Sequence, residues 1–373
     1  MQILLLGGTG AMGSSLTEIL ASCGNEVYIT SRKPRKASVN NVHYLQGNAQ
    51  DTDFTSEVLK KGYDAIVDFM VYDSQTFKIR SEMLLNATNQ YFFTSSSRVY
   101  ADADGPITEN TPRLLDVCKD DIYLRTDEYA LAKARSENVL FDSGKKNWTI
   151  IRPYITYNVE RLQLGGMEME NWLRRALSGR TIPLPKDVAS HHTTMTYGGD
   201  VAMAISELVG NKAALGEAFH LTGTDNRTWR EVAQIYQNVL THYFHTNGTN
   251  DMVSFYIPKD SESICVNQGN CYQIKYDRLY NRIFDNSKLM GVCGGKIKFT
   301  SMEQGLSMCL NDFLATTHWR ADYTPRLEAY LNRTLGEGCH SDEFDETVGK
   351  MKYIGWYYIP GLMRVMKGLR GRE

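Results

Sequence analysis

Apolar residues come in short runs through the first half of the chain, and stretches with helical spacing lie between them. Short apolar or β-branched runs bounded by turn residues predict buried strands. Such strands are predicted at Ile3–Leu6, Glu26–Thr30, Val42–Leu45, Ala65–Phe69, Tyr91–Thr94 and Trp148–Ile151. Helical spacing predicts helices over Ser14–Ser22 and Tyr129–Phe141. Strands that alternate with helices predict an α/β fold, in which helices cover both faces of a parallel sheet.

The pattern becomes less regular from about Asn158 onward. The predicted elements there are helices over Met169–Leu177, Val201–Leu208, Trp229–Leu240 and Glu303–Leu314, and a strand over Ala218–Leu221. Residues 245–285 are rich in Asn, Tyr and Ser and are predicted to be irregular or β. The basic run 363–372 is predicted to be a loose tail, because its two glycines weaken a helix. Contact of this run with a membrane surface or a partner is the alternative.

A chain of 373 residues exceeds the usual size of one hydrophobic core, so we expect two lobes. The larger lobe, which contains the parallel sheet, is predicted over residues 1–160, together with about 190–225. A smaller, mixed α/β lobe is predicted over about 161–189 and 226–335, followed by a C-terminal extension over 336–373.

A glycine-rich turn follows the first predicted strand directly. It reads Gly7-Gly8-Thr9-Gly10-Ala11-Met12-Gly13 and leads into a predicted helix. Phosphate oxygens need backbone N–H groups at close range, and the N-terminal end of a helix favours negative charge. The position between strand and helix favours a dinucleotide-binding, Rossmann-type doubly wound sheet over a tight turn without a ligand. The larger lobe is therefore the predicted NAD(P)-binding domain, and the smaller one is the predicted substrate lobe.

The end of the second predicted strand bears on the choice of cofactor. NAD-binding sheets usually carry an acidic residue there for the ribose hydroxyl. This chain has Ser31-Arg32-Lys33 instead, and a guanidinium with a hydroxyl suits a 2′-phosphate. We therefore expect NADP(H) in preference to NAD, and a solvated basic loop is the simpler alternative.

Tyr129 and Lys133 lie one turn apart on one face of a predicted helix. An ammonium near a phenol favours the phenolate, so this pair could pass a proton to or from a carbinol oxygen. Upstream, the strand at Tyr91–Thr94 leads into the hydroxyl cluster Ser95-Ser96-Ser97. Ligands bind at the carboxyl ends of parallel strands, although such clusters also simply terminate strands.

Five segments, in this order, resemble the extended short-chain dehydrogenase/reductases of the NAD(P)-dependent sugar epimerase/dehydratase family. They are Gly7–Gly13, Phe93–Tyr100, Tyr129-Ala130-Leu131-Ala132-Lys133, Ile151-Arg152-Pro153 and Asp285-Asn286-Ser287-Lys288. The resemblance covers roughly residues 1–315. It implies that Ser96, Tyr129 and Lys133 are catalytic. The cofactor residues that it implies, together with the turns above, are Gly7, Thr9, Gly10, Ala11, Met12, Gly13, Ser31, Arg32, Asn48, Ala49, Phe69, Met70, Tyr129, Lys133 and Tyr154. It also implies a homodimer paired through helices that include Tyr129–Phe141.

Departures from the family pattern reduce the number of reactions that we expect of this chain. Family dehydratases carry a Thr-Asp-Glu run where this chain has Ser96-Ser97-Arg98, which argues against dehydration. Asn48 replaces the usual aspartate beside adenine. The segments after Pro153 and around Met195–Val201 also diverge, and because the family uses them to line the substrate cleft, the sugar stays open.

Composition excludes several other classes of protein. The formal net charge is −2, so no overall field favours nucleic acid or an anionic membrane. The seven cysteines are scattered, without a C-x-x-C pair, and fit a reducing cytoplasm better than a disulfide framework or a zinc site. His191-His192 has no companion ligands, so a polar loop is favoured over a metal site. No apolar run is long enough to span a bilayer or to form a signal peptide.

The sequence thus favours an NADP(H)-dependent reductase, or epimerase/reductase, that acts on the keto group of a nucleotide-activated sugar. In this hypothesis Tyr129 is the acid/base, Lys133 tunes it and Ser96 polarises the carbonyl oxygen. One alternative is a sugar epimerase that retains NAD. A second is a non-catalytic NADP-binding sensor or RNA-binding relative of the fold, which the intact Ser-Tyr-Lys set argues against. The predicted substrate lobe contains five basic residues of which one or two could clamp a diphosphate, and most are expected on solvated helix faces; they are Arg161, Arg174, Arg175, Arg180 and Lys186.

Overall fold

The computed structural model describes residues 1–249, 253–256, 260–265, 268–319, 324–344 and 346–370. The chain divides into two compact units. The first contains Met1–Asn158, His192–Asn226 and Tyr280–Gly305, and the second contains Val159–His191, Arg227–Leu279 and Leu306–Glu373. Residues 280–305, which the sequence analysis assigned to the substrate lobe, are thus counted with the first unit.

The strands, in chain order, are β1 (Gln2–Leu6), β2 (Glu26–Ser31), β3 (Val42–Gln46), β4 (Tyr63–Asp68), β5 (Thr88–Thr94), β6 (Trp148–Pro153), β7 (Thr156–Tyr157), β8 (Ile182–Pro183), β9 (His192–Thr193), β10 (Thr196–Tyr197), β11 (Glu217–Leu221), β12 (Arg227–Thr228) and β13 (Phe255–Tyr256). The helices, in chain order, are α1 (Ala11–Ser22), α2 (Thr52–Leu59), α3 (Ser74–Asn86), α4 (Leu114–Val117), α5 (Asp121–Leu124), α6 (Tyr129–Phe141), α7 (Met169–Leu177), α8 (Lys186–Ala189), α9 (Gly198–Leu208), α10 (Trp229–Thr246), α11 (Gln268–Gln273), α12 (Ser287–Val292), α13 (Met302–Thr316), α14 (Pro325–Thr334), α15 (Thr347–Tyr358) and α16 (Pro360–Arg370).

The first unit is built on a seven-stranded sheet with the order β11-β6-β5-β4-β1-β2-β3. Every neighbouring pair in it is parallel. The predicted doubly wound parallel sheet is therefore confirmed. The strand order reverses between β1 and β4, and in such sheets the carboxyl ends at the reversal form the ligand crevice.

The apolar run of β1 is continuous because both of its faces are covered. Ile3 and Leu5 belong to a core cluster that also contains residues of α1 and α9. Leu4 and Leu6 belong to a second cluster that contains residues of α3. Successive strand residues point to opposite faces, so a strand between two helical layers needs apolar side chains at every position.

The second unit is mainly helical, and two of its described strands, β8 and β13, form a short parallel pair. The Trp172 and Tyr236 rings stack between α7 and α10, with centroids 4.5 Å apart. Residues 245–285 were expected to lack helix, but α11 forms there and continues as a π-helical turn over Ile274–Arg278. Burial of Ile274 and Tyr276 accounts for the difference, because tertiary packing overrides weak helix propensity.

The second unit departs from expectation in two places. Most of the five basic residues of the predicted substrate lobe were expected on solvated faces, but Arg175 and Arg180 are buried, and both bind the buried carboxylate of Glu328. The run 363–372 is not a loose tail as far as Arg370, because helix α16 covers it, and residues 371–372 lie outside the described residues. Pro360 suits the first turn of α16, and it offsets part of the helix stability that the glycines of this run cost. None of the helices described is long and apolar enough to cross a membrane.

Candidate functional site

The glycine turn between β1 and α1 combines close packing with open space. Gly7 has a left-handed φ of 70°, and its N–H donates to Thr30 Oγ1 at 2.9 Å. A Cβ on Gly13 would lie 2.5 Å from the Gly8 carbonyl oxygen, whereas a Cβ on Gly10 would meet nothing within 4 Å. No side chain caps α1 at Gly10, and the first N–H groups of a helix have no partner within the helix. This end of α1 can therefore receive an anion.

A cavity of about 280 Å³ lies beside this turn, at the carboxyl ends of the strands. It is lined by Gly7, Thr9, Thr30, Ser31, Arg32, Gly47, Asn48, Ala49, Gln50 and Met70. Seven of these are predicted cofactor residues, and the sequence analysis did not assign Thr30, Gly47 or Gln50 to the cofactor. Arg32 is the one charged side chain among the ten lining residues. The Ser31 hydroxyl donates to the Lys33 carbonyl oxygen at 2.8 Å, so Arg32 rather than Ser31 is the donor expected to meet a phosphate.

The other eight predicted cofactor residues do not line this cavity, and three of them pack against apolar clusters instead. Met12 and Phe69 are partly buried and pack against the core cluster on the α1 side of the sheet. Tyr154 is buried in a separate apolar cluster, where its ring centroid lies 5.3 Å from that of Phe284. A second cavity of about 440 Å³ adjoins Thr9 along α1 and is lined by Arg35 among others.

Tyr129 and Lys133 are positioned by the first turn of α6. Glu128 caps this helix by accepting from the Ala130 N–H at 2.8 Å. Lys133 is buried, its Nζ donates to the Thr94 carbonyl oxygen at 2.6 Å, and Nζ lies 5.9 Å from the centroid of the Tyr129 ring. Tyr129 remains 37% exposed and can meet a ligand.

Burial disfavours the charged form of Lys133, and two nearby carboxylates favour it. Burial lowers the pKa of Lys133 to about 8, and the carboxylates of Asp68 and Glu137 oppose that shift. Asp68 ends β4 and accepts from Tyr91 Oη at 2.8 Å and from the Met70 N–H at 2.9 Å. Burial raises the pKa of Asp68, and these two hydrogen bonds and the ammonium of Lys133 work against the rise. The sequence analysis missed Asp68, although its place at the end of a strand is a usable signal.

Arg98 lies beside Tyr129, and Ser96 caps the turn that carries Arg98. Ser96 is buried and caps the short 3-10 turn Ser97–Val99, where its Oγ accepts from the Arg98 N–H at 3.2 Å. The Arg98 guanidinium lies 5.3 Å from the centroid of the Tyr129 ring, and Nη2 donates to Glu128 Oε1 at 2.7 Å. A cation therefore stands where the family's dehydratases carry an acid.

A buried polar network holds this group to the sheet. Glu137, one turn after Lys133, accepts from Arg152 Nε at 2.7 Å and from Arg152 Nη2 at 2.8 Å. The same carboxylate accepts from Ser95 Oγ at 2.6 Å and from Arg113 at 3.2 Å. The network ties α6 to the ends of β5 and β6, so Tyr129 and Lys133 stand on rigid elements. Within the described residues, no cluster of His, Cys, Asp or Glu could hold a metal ion.

Comparison with known proteins gives one match to a family model and one curated relative. Residues 7–173 match the model described as NAD(P)H-binding. The chain is 26% identical over 249 residues to the chloroplast stem-loop binding protein of 41 kDa b from Arabidopsis thaliana. That match covers 62% of this chain and 61% of the relative.

Solved structures resemble the chain over most of its length. A crystal structure titled a putative epimerase, from Burkholderia cenocepacia, has a TM-score of 0.63 and 17% identity, covering 84% of this chain and 98% of that one. The dTDP-glucose 4,6-dehydratase of Bacillus anthracis, in complex with NAD, has a TM-score of 0.62 and 17% identity, covering 86% and 99%. The UDP-glucuronic acid 4-epimerase of Bacillus cereus, with UDP-glucuronic acid and NAD, has a TM-score of 0.60 and 15% identity, covering 85% and 100%. At these identities the likeness establishes the fold.

Proposed function

We propose that this chain, which has an NAD(P)H-binding domain and the fold of the extended short-chain dehydrogenase/reductases, reduces the keto group of a nucleotide-activated sugar. The reaction is an NADP(H)-dependent reduction, or a combined epimerisation and reduction. The observation that carries the proposal is the partly exposed Tyr129 phenol beside the buried Lys133 ammonium, in the same unit as the uncapped phosphate turn. The nucleotide-sugar class rests on structural neighbours that are complexes with UDP-glucuronic acid and NAD.

The residues at the turn fit a dinucleotide cofactor. Gly10 leaves space for phosphate oxygens at the uncapped end of α1, and the neighbouring cavity carries Arg32 without a carboxylate. The Thr94 hydroxyl is buried and finds no hydrogen-bond partner among the described residues, so a polar atom of a ligand could satisfy it. When bound, the nicotinamide supplies or accepts the hydride.

The chain's own residues manage the proton and the developing charge. Tyr129 donates its phenolic proton to the carbonyl oxygen as that oxygen becomes an alkoxide. Lys133 and Arg98 place positive charge close to the phenol ring, which stabilises negative charge that develops there. In this proposal the Ser96 hydroxyl, whose oxygen accepts from the Arg98 N–H, donates a hydrogen bond to the same carbonyl oxygen. Dehydration is not proposed, since Arg98 holds the place of the family's acid.

Tyr129→Phe tests this chemistry. We expect the variant to bind NADPH like the wild type and to lose at least about a hundredfold in kcat with the true keto-sugar, because the proton donor is gone. A panel of nucleotide sugars, followed by NADPH fluorescence, identifies that substrate. Undiminished turnover by Tyr129→Phe would rule out the proposed acid/base.

The preference for NADP(H) rests on Arg32. We expect Arg32→Ala to weaken NADPH binding by about tenfold to a hundredfold while leaving NADH affinity unchanged, because only NADPH carries the 2′-phosphate. Equal loss for both cofactors would remove the argument. Recovery of stoichiometric NAD from the purified protein would favour the alternative, an epimerase that retains NAD, which the NAD complexes of the structural neighbours also support.

Binding of a stem-loop nucleic acid is a second candidate function, because the curated relative is named for that activity. A gel-shift titration with a stem-loop RNA, with and without NADPH, separates the two. The reductase proposal predicts no retardation at concentrations that saturate the cofactor site. Specific retardation without oxidation of NADPH by any keto-sugar would favour the second candidate.

We also propose that the chain forms a homodimer and is located in the cytoplasm. Exposed Ile79 on α3 and Phe141 on α6 place apolar surface on the two helices that pack together. Analytical ultracentrifugation of Ile79→Glu against the wild type tests the pairing. A wild-type monomer at micromolar concentration would exclude it.

A further inference from the structure

The last two helices of the chain carry a dense group of exposed apolar side chains. We call it the C-terminal apolar stripe, and it consists of Val348, Met351, Ile354, Tyr358, Ile359, Leu362, Val365 and Met366. These eight are among eighteen large hydrophobic side chains exposed in the described part of the chain. Scattered exposed apolar residues are ordinary, but a contiguous group indicates a surface that something else covers.

The stripe lies on the side of α15 that the rest of the unit does not use. Tyr353 is buried, and its hydroxyl accepts from Asn332 Nδ2 at 2.8 Å and from the His340 N–H at 3.0 Å. Tyr357 Oη donates to the Glu337 carbonyl oxygen at 2.9 Å. Met351, Ile354 and Tyr358 follow one another at intervals of three and four on a different face of the helix. Helix α15 is thus anchored by one face and leaves another uncovered.

Helix α16 shows the same division. Met363 packs against α15, since its Sδ lies 2.8 Å from the point where a Cβ on Gly355 would be. Leu362, Val365 and Met366 are spaced i, i+3, i+4 and form an exposed apolar face. Arg364 and Lys367 are exposed and fall on the opposite side of the helix. A short helix with an apolar face and a basic face is typical of helices that lie in a membrane interface.

Charge separates this segment from the rest of the chain. Residues 347–373 contain six Lys or Arg and a single acidic residue, Glu373. The other 346 residues contain 35 basic and 42 acidic side chains. This segment therefore carries a formal net charge of +5, whereas the rest of the chain carries −7. Cations beside an anionic lipid surface bind it, and the acidic remainder of the chain is repelled from it.

We propose that the C-terminal apolar stripe docks α15 and α16 on an anionic lipid surface, with the stripe at the acyl boundary. A second copy of the chain paired through the stripe would cover the apolar side chains but would leave Arg364 and Lys367, on the opposite side of α16, without a counter-charge. A nucleic acid would engage the cations but would leave the aliphatic and Met side chains uncovered. Lipid accounts for both the apolar and the basic side chains.

The test is flotation of the full chain with vesicles of phosphatidylcholine, with and without phosphatidylglycerol. We expect binding to the phosphatidylglycerol vesicles, weakened by added salt. The triple variant Leu362→Ser/Val365→Ser/Met366→Ser should lower the partition coefficient by at least about tenfold, because the buried apolar area is lost. Arg364→Gln/Lys367→Gln should lower it by about thirtyfold, at roughly one kcal/mol for each cation.

Matched controls are Ile122→Ser and Lys60→Gln, which change an exposed apolar residue and an exposed cation of the first unit. Both should float like the wild type, and all variants should keep the wild-type affinity for NADPH. No binding to phosphatidylglycerol vesicles, or equal loss in the controls, would overturn the proposal. So would a wild-type dimer that the triple serine variant converts to monomer without any vesicle binding. Stem-loop RNA binding that depends on Arg364 and Lys367, in the absence of vesicle binding, would also overturn it.

Discussion

At the scale of single residues, Gly10 and Gly13 have different roles although they lie three positions apart in one turn. A side chain on Gly13 would press on the Gly8 backbone, which cannot yield, whereas a side chain on Gly10 would enter the space left for a ligand. We predict that Gly13→Ala lowers the free energy of unfolding by about 1–3 kcal/mol, as overpacking does. Gly10→Ala should change it by less than about 1 kcal/mol and should instead weaken NADPH binding.

Urea unfolding and fluorescence titration of the two glycine variants measure these effects. A Gly13→Ala protein as stable as the wild type would show that helix and strand can separate slightly. A Gly10→Ala protein with unchanged NADPH affinity would show that phosphate does not approach the turn at that position.

Lys133 predicts a pH dependence of stability in the cofactor-free protein. Its pKa falls to about 8 in the folded state from the ordinary lysine value of 10.5, so between these values the unfolded chain binds more protons. Stability from this group therefore rises with pH through that window, and below it the cost of the buried ammonium is fully present. At one pKa unit per 1.36 kcal/mol, the whole effect is about 3 kcal/mol.

Lys133→Met isolates this effect, since other groups titrate in the same window. We expect the variant to be more stable than the wild type below pH 8, with the difference shrinking as the pH approaches 10.5. Urea unfolding of both proteins across this range gives the difference. A constant difference would mean that Lys133 keeps its ordinary proton affinity.

At the scale of elements, the position of α6 depends on the buried polar residues that bind it to the sheet. Glu137 is buried with Arg152 and accepts from Ser95 as well. Removing one partner of a buried ion pair leaves an uncompensated charge, which costs about 3–5 kcal/mol. We predict that Glu137→Gln loses stability of this size and also lowers kcat, because Lys133 moves with the helix. Glu57→Gln, at a mostly exposed ion pair with Lys60, is the control and should change stability by less than about 0.5 kcal/mol. Equal effects in the two variants would contradict the role of the network.

The sequence pattern predicted helices and strands correctly wherever a single local signal was strong. The bounds of Tyr129–Phe141 and Met169–Leu177 agree with α6 and α7, because their spacing is helical throughout. The first six predicted strands all exist, and most are longer by one to three residues, since polar residues such as Thr88 and Gln90 also pair in the sheet. The stretches of α2 and α3 were not predicted as helices, and their apolar spacing is weak in a polar sequence.

The sequence also indicated which residues might share a site, but not how they touch. Arg98 was noted for the acid that it replaces, and its approach to Tyr129 depends on the turn at Ser97–Val99 and on Glu128. Asp68 and Lys133 are 65 positions apart, and only the order of strands brings their charges together. Contacts of this kind follow from topology, which a local pattern does not contain.

At the scale of the whole molecule, the second unit contains a buried group of charged residues that holds its helices together. In the second unit, Arg175 and Arg180 of the α7 region are buried and both bind Glu328 of α14, with Arg175 Nη1 at 2.5 Å and Arg180 Nη1 at 2.6 Å. Burial raises the pKa of Glu328, and the two guanidinium groups work against that rise. Glu337 and Glu343 bind the same two arginines. Residues beyond the family resemblance are thus part of the core of this unit.

This arrangement predicts that Glu328→Gln destabilises the second unit selectively. The variant leaves two buried guanidinium groups around one neutral amide, so we expect a loss of about 3–5 kcal/mol within that unit. Hydrogen exchange should accelerate in α7, α14 and α15, whereas β1 to β6 keep their protection and NADPH affinity stays at the wild-type value, since compact units open separately. Asp312→Asn on α13, an exposed carboxylate of the same unit, is the matched control. Acceleration spread evenly over both units would show that they unfold as one, and unchanged exchange in α14 would show that Glu337 and Glu343 suffice to hold the arginines.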